Sequence, residues 1–406
     1  MAIQSKSYDV QGGAVNGRTV SQIWGAKKKA TGGKRKRCLK GKSCGASCIP
    51  GYHVCMVDIP VVLAPFVSKT RDKLMAAMSQ GPPANTKIAI KPKELSKPTS
   101  TKNSIKFEGN NLVVNGETFT PGKKLPGSTQ PTLYVNKDGE GKWVVKEGGA
   151  KGQNIAEKAA NDVYNILAPK LGSGAIKSEL VDGKLVNGFV EGGKTLNSLS
   201  SSELRNYDVN NKLKKSLIAD ALVANWDFMG AVNDNIMVNK SGALTRIDSG
   251  GTFNYRAMGA SKKFESVPME LWTLRSGQGS GAWTNAKDSD YRNIWSNQAK
   301  GVAEQSRKLK KSVDESGLSP EVKVAFTNRI NALATTGNAI TSEKFNGKTI
   351  LQLADSGAIS WKSVDSAIKT AFENSKSFNP RERGWEQKVN QEVVKQLGTL
   401  AQGQEG

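Results

Sequence analysis

Between Ile105 and Leu167 the hydrophobic period changes from two to 3.6, and that change restricts the fold more than any other feature. Residues 105–119, IKFEGNNLVVNGETF, alternate apolar and polar side chains as a half-buried strand does. Residues 132–148, TLYVNKDGEGKWVVKEG, read as two short strands joined by a turn at Asp138-Gly139. From Asn154 to Leu167, the residues Ile155, Ala159, Val163, Ile166 and Leu167 share one helical face. Strand-forming sequence returns in KSELVDGKLVNGFVEGG, ending near Glu191, and helical patterns dominate from Ser201 onward. Strands followed by helices specify an α+β chain with a small β-rich lobe and a larger helical one.

The richest chemistry lies in residues 221–259, ALVANWDFMGAVNDNIMVNKSGALTRIDSGGTFNYRAMG. Ile236–Val238 and Ala243–Ile247 read as a hairpin turning around Lys240–Gly242, with Asn235 before its first strand and Asp248 after its second. The outer ends of such a hairpin lie side by side, so Asn235 and Asp248 offer oxygen ligands to one magnesium ion. Asp227 stands on an irregular loop upstream, placed to orient or deprotonate a hydroxyl, and Gly250-Gly251 leave room for phosphate beside the backbone. The plainer reading is a hairpin whose Asn and Asp are turn formers. Upstream elements favour catalysis. Lys146 ends a strand and Glu157 falls in the next helix, a pair suited to gripping phosphates, and Gly127, Ser128 and Thr129 form a candidate phosphate-covering turn. The order turn, lysine, helical glutamate, aspartate, asparagine, aspartate matches the division of labour in phosphoryl transfer.

The set resembles the HipA-like and phosphatidylinositol 3- and 4-kinase-like branch of the protein-kinase fold. Similar domains occur in bacterial effector or toxin kinases and in phage head-morphogenesis proteins. The resemblance is carried by KWVVKE at 142–147, NIAEKAANDVYNIL at 154–167, LVNGFVEGGKTL at 185–196, and LIADALVANWDFMGAVNDNIMV through LTRIDSGGTFNYRAMG. It implies a bilobal kinase-like fold using ATP and Mg2+. Lys146 would contact the nucleotide phosphates, Glu157 would hold that lysine, and Val190 or Glu191 would sit at the hinge near the adenine. Asp227 would be the catalytic-loop aspartate, Asn235 the metal-binding asparagine and Asp248 the metal-binding aspartate. Three departures accompany it: Asp227 precedes Asn235 by eight residues where the lipid-kinase loop usually has five, Phe228 replaces an Arg or His, and the glycine-rich loop is not a clean G-x-G-x-x-G. Asp234 is therefore a rival for the base. A protein Ser/Thr kinase is the leading expectation, beside a kinase for an inositol lipid or small hydroxyl compound, and a non-catalytic interaction or virion structural protein that kept the fold.

The remaining sequence divides into a basic head (1–60), a proline-bearing linker (61–105), the N-lobe (106–192), and a helical C-lobe with a C-terminal extension (193–406). The chain carries a net charge of +23, and Lys27 to Lys42 holds nine Lys or Arg with no acid. That run suits a polyanion, nucleic acid or anionic membrane, or else is a solvated arm. Cys38, Cys44, Cys48 and Cys55 fall within 18 residues beside His53. They are candidates for Zn2+ ligands, two local disulfides or free thiols. The longest apolar run, Val54 to Val67, is broken by Asp58, Pro60 and Pro65, too short to span a bilayer. With no apolar segment near the N-terminus, a cytoplasmic location is the default expectation; virion association or delivery into a host cell is the alternative. Four helical stretches after Tyr291 read as core packing, with substrate recognition as the functional alternative.

Overall fold

The computed structural model describes residues 104–125, 129–147 and 152–403, with the backbone of two short strands, β1 (Lys42–Cys44) and β2 (Ser47–Ile49). The chain divides into two units, residues 1–95 and 96–406. In the first, β1 and β2 pair antiparallel, with Cys44 opposite Ser47 and Cys48 opposite Ser43. Cys38, Cys55, the side chains of Cys44 and Cys48, and the basic run up to Gly41 lie outside the described residues. So do the zinc and disulfide expectations.

The second unit is α+β. Strands β3 (Ile105–Glu108), β4 (Asn111–Val114), β5 (Glu117–Lys124), β6 (Thr132–Asn136) and β7 (Lys142–Lys146) follow one another as antiparallel neighbours. Helix α1 (Gln153–Leu171) and strand β8 (Ser173–Ala175) come next, and β9 (Ser178–Val181) and β10 (Lys184–Gly188) complete the sheet in the order β3-β4-β5-β6-β7-β10-β9. Gly139, at φ +72, supplies the turn between β6 and β7. Leu112, Val114, Phe119, Tyr134, Val145 and Val186 form a small core on one face of the sheet.

Helix α1 runs beyond Leu167, through Pro169, and stops at Gly172, whose φ of +71 lets its N–H cap the Ala168 carbonyl. Its buried face is set by Ala156, Ala160, Val163, Tyr164 and Leu167, and the expected Ile155 and Ile166 are only half-buried at its margin. A second sheet has the order β11-β12-β13-β8, from β11 (Lys194–Thr195), β12 (Ile236–Val238), β13 (Leu244–Arg246) and β8. The hairpin expected around Lys240–Gly242 is thus the middle of a four-stranded sheet, and β8 pairs parallel with β13, Leu244 against Ser173.

Helices α2 (Ser201–Asn206), α3 (Val209–Lys215) and α4 (Leu217–Leu222) lead into the loop bearing Asp227. The break at Ser216 is bridged by Gln298, which accepts from the Ile218 N–H and donates to the Lys214 carbonyl. Then follow α5 (Glu270–Ser276), α6 (Ser280–Trp283), α7 (Asp288–Arg292), a π-helical turn at 293–298, α8 (Ala299–Asp314) and α9 (Pro320–Ser342). The last helices are α10 (Ile350–Asp355), α11 (Trp361–Ser375) and α12 (Trp385–Gln402). Residues 350–372, the third of the four helical stretches read from the sequence, form two helices, because Gly357 adopts φ +78 and Ser360 starts a new one. One large core, including Leu167, Ile218, Trp295, Phe326 and Phe372, joins α1 to these helices. Among the described residues no helix is long and apolar enough to cross a membrane.

Candidate active site

Strand alternation turns Val145 into the small core and Lys146 to the opposite face. There Lys146, only 6% exposed, meets Glu157 of α1, 3% exposed, at 2.6 Å. Its ammonium also lies 3.2 Å from Asp248 Oδ1 at the end of β13. Burial opposes the charge on Lys146, but the two carboxylates outweigh it and hold its pKa above the ordinary value. Burial pushes Glu157 up to about 7, against the pull of Lys146. The side chain of Asp248 is 48% exposed, so the cluster has a dry end at Glu157 and an open end at Asp248.

Helix α1 grips the segment after Asp248 at two points one turn apart. Glu157 accepts from the Ser249 N–H at 3.5 Å, and Gln153 Nε2 donates to the carbonyls of Gly250 at 3.1 Å and Ala257 at 3.2 Å. Asp248 Oδ1 also accepts from the Gly250 N–H at 3.1 Å. The space expected beside the two glycines is filled by the chain itself. A Cβ at Gly250 would lie 2.9 Å from Gln153 Nε2, and one at Gly251 would lie 3.1 Å from Asp227 Cβ. These glycines admit side chains of the site at close range.

Asn235 and Asp248 flank the paired ends of β12 and β13, and the Ile247 N–H donates to the Asn235 carbonyl at 2.9 Å. Asn235 Nδ2 donates to the Asp227 carbonyl at 2.7 Å and to its Oδ2 at 3.3 Å, while Gln278 Nε2 donates to Asp227 Oδ1 at 3.0 Å. Asp227 is half-buried, and burial raises its pKa, with the charge of Asp248 adding and the bonds from Gln278 and Asn235 opposing. The wide Asp227–Asn235 spacing is thus absorbed by a loop that returns the asparagine to the aspartate. Asp234 is exposed, and its Oδ1 occupies the space that a Cβ at Gly230 (φ +77) would need.

Hydrogen bonds and ion pairs link Lys146, Glu157 and Asp248 in one group and Asp227 and Asn235 in another. No hydrogen bond among the described residues joins Thr129, Val190 or Glu191 to either group. Thr129 lies in the turn before β6, and Gly127 and Ser128 fall outside the described residues. Val190 and Glu191 occupy the connection from β10 to β11, between the two sheets; Glu191 is exposed and pairs with Lys142 at 3.1 Å.

Several participants escaped sequence reasoning. Behind the hairpin Arg246 pairs through two nitrogens with Asp220 of α4, and donates to Ser173 at 2.7 Å and Ser216 at 3.1 Å. Asp220 accepts from the Tyr164 hydroxyl at 2.9 Å, and that hydroxyl accepts from Asn225 at 3.0 Å. Burial raises the Tyr164 pKa well above its usual value. Arg329 of α9 is fully buried against Glu270 at 2.9 Å and donates to the Ala221 carbonyl at 2.7 Å. A charged residue inside the apolar run LIADALVA was the one available signal; the partners of Asp220 lie 26 and 56 positions away.

No family model matches the sequence, and no curated protein matches it. Among solved structures, a Helicobacter pylori proinflammatory kinase, CtkA, is 13% identical with a TM-score of 0.33, over 54% of this chain and 91% of that one. Choline kinase LicA from Streptococcus pneumoniae is 14% identical with a TM-score of 0.21, over 68% and 92%. LicA in complex with AMP is 14% identical with a TM-score of 0.26, over 70% and 93%. All three scores fall below 0.5, so the functional reading rests on the residues of this chain.

Proposed function

We propose that the chain is an ATP- and magnesium-dependent phosphotransferase of the HipA-like and phosphatidylinositol-kinase-like kind, acting on a protein serine or threonine hydroxyl. One observation carries the reading: a buried lysine held at 2.6 Å by a helix glutamate and facing, at 3.2 Å, a half-open aspartate at the end of a hairpin. Phosphoryl transfer is mostly positioning and charge stabilisation, and this is the equipment it needs. Lys146 binds α- and β-phosphate oxygens at the open end, while Glu157 anchors the lysine from the buried side at 2.6 Å. The connection at Val190 and Glu191 borders the nucleotide.

The donor set suits a hard cation. Asp248 and Asn235 contribute a carboxylate and an amide oxygen, and among the described residues no group of three or more His, Cys, Asp or Glu is arranged to hold a metal. Magnesium fits that sparse set because it takes one or two protein oxygens and completes its shell with phosphate and water. When bound, it neutralises charge on the transferred phosphate. Asp227, aimed by Gln278 and Asn235, orients the acceptor hydroxyl and takes its proton as the γ-phosphoryl group passes to oxygen and ADP departs. Trp226, Val232 and Met258, exposed by 47%, 57% and 77%, lie on the loops around Asp227 and after Asp248. They favour an acceptor with apolar flanks, and an inositol lipid is the second reading on that account.

The test is the purified chain with γ-labelled ATP and magnesium. Magnesium-dependent turnover or autophosphorylation is expected, and Asp248→Ala should abolish it while the chain stays folded. A folded parent chain with no turnover, or an Asp248→Ala chain at the parent rate, overturns the assignment.

A further inference from the structure

Lys262 is outside the set assigned above, yet it is half-buried between the two loops that carry Asp227 and Asp248. Its Nζ donates to the Ala224 carbonyl at 2.5 Å and the Gly251 carbonyl at 2.7 Å. Ala224 stands three residues before Asp227, and Gly251 three after Asp248. Both loops hold a left-handed non-glycine residue here, Ala224 at φ +52 and the buried Phe253 at φ +51. Such conformations persist only where surrounding contacts enforce them. Phe253 packs on Phe264 and Phe326 and its N–H donates to the Val223 carbonyl at 2.7 Å, and Lys262 spans the two loops beside it. Burial, with Arg329 and Arg256 nearby, lowers the Lys262 pKa to about 7, against the opposing pull of Glu270 and Asp227. A lysine held in such a place is costly, and an apolar side chain would do better if packing were its only task.

We propose that Lys262 is a positioning residue for phosphoryl transfer, tying the loop of Asp227 to the loop of Asp248 and so setting the distance from acceptor to γ-phosphate. This rests on the phosphotransferase reading. The nucleotide is gripped from Lys146 and Asp248, and the acceptor is aimed from Asp227. Loosening the tie leaves the nucleotide bound while the acceptor oxygen goes out of line. Misplacement of that kind lowers kcat rather than nucleotide affinity.

The full chain and its Lys262→Met variant are compared for steady-state Mg·ATP turnover with water as acceptor, for Mg·ADP binding by calorimetry, and for thermal melting. In Lys262→Met, kcat should fall roughly 10²-fold. KM for ATP and Mg·ADP affinity should stay within about threefold. Lys262→Arg, which keeps the donors, should recover part of kcat. A Lys262→Met chain with kcat within about threefold of an active parent overturns the proposal alone, as does an equal loss of Mg·ADP affinity, which would mark a nucleotide contact. A folded parent without turnover overturns the phosphotransferase reading and this proposal with it. Should Lys262→Met fail to fold, Lys262→Gln decides by the same criteria.

Discussion

Lys146 is the residue on which the site depends most, because it sits between two carboxylates and one of them, Glu157, is almost fully buried. Taking the ammonium away leaves Glu157 buried without its compensating charge, and breaking a buried pair from one side is strongly destabilising. Lys146→Met is therefore expected to cost about 3 kcal/mol at pH 8, read from urea unfolding. The loss should shrink at pH 5.5. Glu157 already has a folded pKa of about 7 against an ordinary 4.5, so the folded chain binds its proton more tightly than the unfolded chain. Stability drawn from that group is greatest at low pH and declines as pH rises from about 4.5 to 7. Without Lys146 the carboxyl is raised further and the pH dependence steepens. A loss of equal size at both pH values would show that Glu157 is not the group left stranded.

Three elements meet at Arg246: hairpin strand β13, helix α4 through Asp220, and helix α1 through Tyr164, whose ring lies 4.3 Å from the guanidinium. Each carries or leads to a site residue, Asp248 two positions after Arg246, Asp227 seven after Asp220, and Glu157 seven before Tyr164. The network therefore sets element register, and its two ends should respond differently. Arg246→Met strands the Asp220 carboxylate and is expected to cost about 3–5 kcal/mol. Tyr164→Phe keeps the ring and removes only the hydroxyl between Asp220 and Asn225, at about 1 kcal/mol. Denaturant melts of the two variants test the ranking. An Arg246→Met chain as stable as the parent would mean that packing alone holds the hairpin against α4.

At the scale of the molecule, charge and chemistry are divided between the two units. Residues 1–95 contain 17 Lys and Arg against 4 Asp and Glu, so +13 of the +23 belongs to under a quarter of the chain. None of the residues assigned to nucleotide, metal or acceptor lies there. Polyanion affinity from such a segment arises by counterion release and falls steeply with salt. Deleting residues 1–60 should leave Mg·ATP turnover largely intact and flatten the salt dependence of binding to DNA, RNA or anionic vesicles. A salt titration of intact and truncated chains checks this. Matching slopes would place polyanion binding on another surface.

Local patterns were enough to determine much of this protein. Alternation in residues 132–148 and the Asp138-Gly139 turn specified β6 and β7, since a strand period and a positive φ are properties of adjacent residues. The apolar period after Asn154 specified a helix, and the small residues around Lys240–Gly242 specified the hairpin that sets Asn235 beside Asp248. Five candidate residues, Lys146, Glu157, Asp227, Asn235 and Asp248, were singled out from residue type and order along the chain. What only tertiary structure decided was which of them touch. Lys146 and Asp248 are 102 positions apart and meet because β8, which directly follows α1, pairs parallel with β13 in the second sheet, bringing α1 and the hairpin together. The same packing selected Ala156, Ala160 and Tyr164 over Ile155 and Ile166 for the buried face of α1, and put Arg246, Lys262, Gln278 and Arg329 against backbone or carboxyl groups from distant segments. Periodicity reports how a residue relates to its neighbours a turn or a pleat away. A hydrogen bond across a core depends on where every intervening element has packed, which no local window of sequence contains.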